Sequence, residues 1–207
     1  MKKYLIIYSI LLKNAFSRDA HYRADTITHW VTHLIWLGML YILVDVLFRY
    51  TNSIAGWNKP EVFFLMNIFI LSQQIFLFFF RDNIYEIPNI ITDGKLASFL
   101  VTPANTIFML VARHISLRAT GRIVTQIILL GWFLLHYNLV LSLWNGLILF
   151  FLIGLGVIIQ LAHGVMMNTL SFWFLRIDNI NEAWFNLGQI GKYPLTVLPQ
   201  TLRVLTY

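Results

Sequence analysis

Apolar positions run along this chain in long blocks separated by short polar stretches. Residues 27–48 form the first block, 61–80 the second, 105–136 the third and 144–175 the fourth. Each reaches the length of about 20 apolar residues that a helix needs to cross a bilayer. The third block would extend roughly 45 Å as one helix, more than the hydrocarbon core. Arg113, His114, Arg118 and Arg122 crowd its start, so it begins in the cytoplasm or headgroups, or breaks near Gly121. Residues 182–207 carry Gly188, Gly191, Pro194 and Pro199, which suits a broken helix that enters and turns. Residues 1–23 begin with a basic amphipathic pattern. A signal peptide is one reading, but Lys13 closes its apolar core early and no small-residue cleavage site follows cleanly. The preferred reading is a retained interfacial helix, with Lys2, Lys3, Lys13, Arg18 and Arg23 toward anionic headgroups. The pattern therefore predicts an all-α, polytopic helical membrane protein. It has four long transmembrane helices, a broken re-entrant fifth, and an N-terminal interfacial helix over 1–23 ahead of a membrane domain over 24–207.

Between the second and third blocks lies the stretch 81–103. Arg81, Asp82, Glu86, Asp93 and Lys95 make it unfit to cross a bilayer, because one central charge costs about 3 kcal/mol. It is nonetheless patterned. Ile87, Ile90 and Ile91 share one helical face, Asp93-Gly94 is a helix stop, and Leu96, Phe99 and Leu100 make a second short apolar face ended by Pro103. Two amphipathic turns hinged on glycine suit a docking element; the plainer alternative is a helix resting on lipid.

Composition sharpens the class. Hydrophobic residues make up 58% of the 207-residue chain and charged residues 12%, against about 25% charge in soluble domains. The net charge of +6 has a simpler source than nucleic acid, since no basic run is interleaved with stacking aromatics. With the N-terminus inside, Lys2, Lys3, Lys13, Arg18, Arg23, Arg81, Lys95, Arg113, Arg118, Arg122 and Arg176 fall on inner segments. Outer segments carry Arg49, Lys59, Lys192 and Arg203. That asymmetry places the N-terminus and the 81–103 stretch in the cytoplasm, and residues 51–60 and 137–143 outside.

Polar groups inside the blocks are candidates for a pathway. Gln73 and Gln74 line a substrate path or bond between helices, as do Asn67 and Ser72; Gln160 and His163 stand in the fourth block. Asp45 and Arg49 can pair across one helical turn. Asp25, His29 and His33 have ligand-like spacing, but no further ligand cluster supports a metal. No cysteine is present, which removes disulfides and thiolate chemistry. Gly191-Lys192 lacks the preceding glycine of a Walker A loop, and no hydrolase elbow or zinc-protease motif occurs. No catalytic residue and no cofactor is expected. A chain like this that moves solutes with ATP needs another chain to hydrolyse it.

The order of features resembles the permease subunits of ABC-2 type exporters. The run from Ile91-Thr92-Asp93-Gly94-Lys95-Leu96 through Leu100 to Thr102-Pro103-Ala104-Asn105 is similar to the family's motif after its second span. Phe172-Trp173 and the Tyr193-Pro194-Leu195…Leu198-Pro199 segment near the external gate also match. The resemblance implies a non-catalytic membrane subunit of a bacterial inner-membrane exporter, paired with a second permease subunit and an ABC ATPase subunit. It implies ATPase coupling through Ile87, Ile90, Ile91, Gly94, Lys95, Leu96, Phe99, Leu100 and Pro103. Gln73, Gln74, Gln160, His163, Tyr193, Pro194 and Pro199 become the pathway and gate candidates. Family members usually continue past the proline-rich turn into a last helix, so a fragment or a missing final helix is expected. The alternatives are a gradient-driven transporter using His163, Gln160 and Asp45, and a membrane scaffold without transport.

Overall fold

The structure, a computed structural model, describes residues 23–102, 105–116, 119–139, 142–173, 186 and 188–194. The interfacial helix expected over 1–23 lies outside these, apart from Arg23. The described residues are helical, with no strand beyond an isolated bridge between Ile54 and Trp57. Helix α1 (Arg23–Tyr50) is followed by α2 (Lys59–Phe76), a π-helical turn (Leu77–Arg81), α3 (Asp82–Thr92), α4 (Leu96–Leu100) and α5 (Thr106–Val111). Helices α6 (Thr120–His136) and α7 (Leu143–Thr169) complete the bundle, with 3₁₀ turns at Leu170–Phe172 and Gln189–Lys192.

Among the described residues, three helices are long and apolar enough to cross a membrane: Thr26–Tyr50, Lys59–Thr92 and Leu143–Phe172. Helix α6 is apolar but shorter. Helix α2 is the hub, packing on α6 and α7, while α1 and α7 turn most of their apolar surface outward. One core joins Leu37, Leu40 and Val44 of α1 to Val62, Met66 and Ile70 of α2 and Phe133 of α6. A second sets Phe76 and Ile84 against Val157 of α7. Polar groups bind the helices together. Asn67 Oδ1 accepts from Tyr41 Oη and from Gln126 Nε2, each at 2.7 Å, so one buried amide of α2 ties both α1 and α6.

Two expectations change. The second block does not end at Phe80. Its helix continues through Arg81 to Thr92, because the π turn widens rather than breaks it. The charges are absorbed locally: Arg81 lies over the Tyr85 ring at 5.0 Å, and Glu86 pairs with Arg113. The third block is not one helix. It breaks after Val111, upstream of Gly121, and α6 is its only described long part. Gly121 itself marks a close crossing, since a Cβ there would collide with the indole ring of Trp30 on α1. Gly121→Ala is expected to cost about 1–3 kcal/mol by displacing that ring. Thermal unfolding in detergent measures the loss, and a Trp30→Ala background should remove most of it.

Candidate functional site

The 81–103 stretch folds as a helix, a hinge and a short helix. Helix α3 ends where the Asp93 and Gly94 N–H groups donate to the Asn89 and Ile91 carbonyls, at 2.9 and 3.1 Å. Gly94 takes a φ of +69°, the left-handed conformation that lets a glycine stop a helix cheaply. No heavy atom lies within 4 Å of a Cβ built there, so the demand is on the backbone alone. Beside it Lys95 donates to Asp93 at 2.7 Å. That hydrogen bond, with the carboxylate's charge, holds the Lys95 ammonium above its ordinary pKa. Helix α4 then carries Leu96 and Phe99 half-buried and Leu100 exposed. Asn105 accepts the Phe108 N–H at 3.1 Å and caps α5.

The expected docking residues separate into two sets. Ile87 and Ile90 are buried in the α3 core, and Ile91 is half-buried. Gly94, Lys95 and Leu100 are exposed, and Leu96 and Phe99 lie between. Pro103 lies outside the described residues.

Beneath this elbow sits a polar joint that the apolar pattern did not announce. Asn83 of α3 is fully buried. Its amide donates to the carbonyls of Val111 at 2.9 Å, His114 at 2.7 Å and Phe79 at 3.1 Å, and its Oδ1 accepts the His114 N–H at 2.7 Å. The Phe78 carbonyl, in the π turn, accepts the Ser116 N–H at 2.9 Å. The non-helical backbone after α5 is thereby satisfied by protein, the condition for irregular chain near a membrane. Arg113 pairs with Glu86 and lies 5.6 Å from the Phe99 ring of α4. Elbow, π turn and broken third segment thus form one connected unit. The available signal was the spacing of Asn83 and Glu86, which puts both on one helical face.

A second feature lies higher in the bundle. Helices α2, α3 and α7 enclose a cleft of about 270 Å³ lined by Phe69, Gln73, Gly156, Gln160, Tyr85 and Gly188, among others. Gln160 donates to Ser72 Oγ at 3.1 Å and Gln189 to Gln73 Oε1 at 3.3 Å. Two pathway candidates, Gln73 and Gln160, therefore meet at one cavity. Gln74 is buried beside it in α2, and His163 is half-buried on α7. Tyr193 is half-buried and Pro194 buried, while Pro199 lies outside the described residues.

Lys192, which the charge asymmetry put with the outer segments, is buried in the bundle. Its Nζ lies 4.9 Å from the Trp36 ring and 5.5 Å from that of Tyr193. Gly191 explains the approach, since a Cβ there would meet Phe69 Cε2 of α2 at 2.6 Å. Residues 191–192 thus lie against the middle of α1 and α2.

Neither a curated protein nor a solved structure matches the chain. A family model described as an ABC-2 family transporter protein matches residues 34–207, which include the elbow, the polar joint and the cleft. By that match the chain belongs to the ABC-2 family of membrane transporter proteins, as an ABC transporter permease.

Proposed function

We propose that this permease is the pathway-forming subunit of an ABC exporter, driven by a separate ATPase subunit that docks on the α3–α4 elbow. The observation that carries the reading is the connection of the elbow to the broken third segment through Asn83, Glu86 and Arg113. A push on α4 reaches α3 through Gly94 and reaches the backbone after α5 through Arg113. Buried Ile87 and Ile90 serve as the anchor of this lever, and exposed Lys95 and Leu100 as its contact face. The cleft holding Gln73 and Gln160 is the proposed pathway, with Gln74 and His163 beside it and Tyr193 and Pro194 at its gate.

The proposed topology places the N-terminus and the elbow in the cytoplasm and the α1–α2 and α6–α7 loops outside, with α6 as the third of four spans. Two permease subunits, identical or homologous, form the complete pathway in the inner membrane. Differential contacts of the ATPase pair with its two nucleotide states bias the lever between inward and outward access.

Leu100→Asp tests the docking face. An unpaired charge in a mostly apolar contact should weaken capture of the cognate ABC ATPase subunit about tenfold or more. Gly94→Val should strain the hinge by roughly 1–2 kcal/mol and uncouple ATP hydrolysis from transport without blocking membrane insertion. Asn52→Asp in the exposed α1–α2 loop is the control. Co-purification of the ATPase reads the outcome; normal capture and normal coupling in both inner variants would make the elbow a lipid-resting helix.

A further inference from the structure

The outer ends of α1, α2 and α6 leave a second cleft, of about 330 Å³, that the transport reading does not use. Its floor is aromatic. Tyr41 and Phe63 stack with centroids 5.2 Å apart, and Phe133 lies behind them. Trp132, 56% exposed, forms one wall. Asp45 and Lys59 line the cleft, and Asp45 holds two cations: Lys59 on Oδ1 at 2.5 Å and, from outside the lining, the exposed Arg49 on Oδ2 at 3.2 Å. That ion cluster carries one net positive charge, and the nearby Glu61 carboxylate is turned to the Asn58 N–H at 2.8 Å. Lys59 keeps ammonium donors beyond the one given to Asp45, and Arg49 spends only its Nε on the pair.

We infer that this cleft seats an anionic phospholipid, with its phosphodiester on Lys59 and Arg49 and an acyl chain along Trp132 and the exposed Ile42. Charge complementarity argues for the head: a net negative headgroup matches the one-cation excess of the Asp45–Lys59–Arg49 cluster, and charge-assisted bonds to phosphate oxygens are the strong ones. The aromatic wall argues for depth, because tryptophan and tyrosine favour the headgroup level of a bilayer. The inference also gives a reason for cations at helix ends where the charge asymmetry disfavours them. Binding requires only that α1 and α6 meet lipid; its assignment to the outer leaflet rests on the topology proposed above.

The test is native mass spectrometry of the purified full chain in detergent, titrated with phosphatidylglycerol or with phosphatidylcholine. The wild type should prefer phosphatidylglycerol about tenfold, the value of one charge-assisted contact. Arg49→Gln/Lys59→Gln should abolish that preference, and Arg49→Lys/Lys59→Arg should keep it. Trp132→Ala should weaken both lipids alike. A wild type without preference, or a charge-neutral variant that retains it, would reduce the cluster to an ion pair that fixes the α1–α2 loop. Competition by inorganic phosphate equal to that by phosphatidylglycerol would overturn the assignment to a lipid. ATPase capture plays no part in this measurement, so its failure and the failure of the coupling reading are separable.

Discussion

Asn83→Asp is expected to be the most damaging conservative change in the described part of the chain, costing about 4 kcal/mol or more. The substitution keeps the shape and the acceptor that takes the His114 N–H. It replaces an amide whose two N–H donors are shared among three carbonyls with an oxygen that repels them. Each buried carbonyl left without a donor costs about 1–3 kcal/mol, and a buried carboxylate adds several more. Arg113, the cation next to His114 in the chain, is already engaged with Glu86. Asn83→Ala loses the same bonds without burying a charge, so it should cost less. That order, Asp worse than Ala, distinguishes a hydrogen-bonding joint from simple space filling, which predicts the reverse. Thermal unfolding gives the magnitudes. Hydrogen exchange should localise the loss to the amides of His114 and Ser116, and unchanged protection there would refute the joint.

The expectations that held were those written in local pattern. A run of apolar residues with the right length gave α1, α2 and α7, and the Asp93-Gly94 pair marked a helix end that the +69° φ of Gly94 bears out. The Asp45–Arg49 pair follows from one helical turn and is present. What escaped is long-range. Asn83 binds carbonyls 28 and 31 residues away, and no periodicity announces such a partner. The break after Val111 exists because α3 supplies donors and acceptors for the exposed backbone, so its position was set by another segment. The continuation of α2 through Arg81 escaped for a different reason. A charge count treats each ionisable residue as fully desolvated, whereas Arg81 lies over Tyr85 and Glu86 meets Arg113. Lys192 shows the same limit: a charge count places a cation in a segment, and only tertiary packing shows it buried against Trp36 and Tyr193.

Lys192→Met is expected to stabilise the protein, by about 1–3 kcal/mol, while impairing the complex it serves. The lysine is 9% exposed, and among the described residues no carboxylate pairs with it. Burying an ammonium costs several kcal/mol, and the rings of Trp36 and Tyr193 return about 2 kcal/mol of cation–π attraction. Methionine has similar length, needs no solvation and still packs on Trp36. A charge kept at such a cost inside a membrane bundle is a mark of function. Under the gating proposal, the ATPase rate of the reconstituted Lys192→Met complex should fall severalfold although the fold gains stability. The attraction itself is isolated by a double-mutant cycle with Trp36→Leu. Trp36→Leu should cost about 1–2 kcal/mol more with Lys192 in place than in the Lys192→Met background. A lower unfolding temperature for Lys192→Met would show that the ammonium is compensated by more than these rings. A stabilised variant with an unchanged ATPase rate would place Lys192 outside the gate.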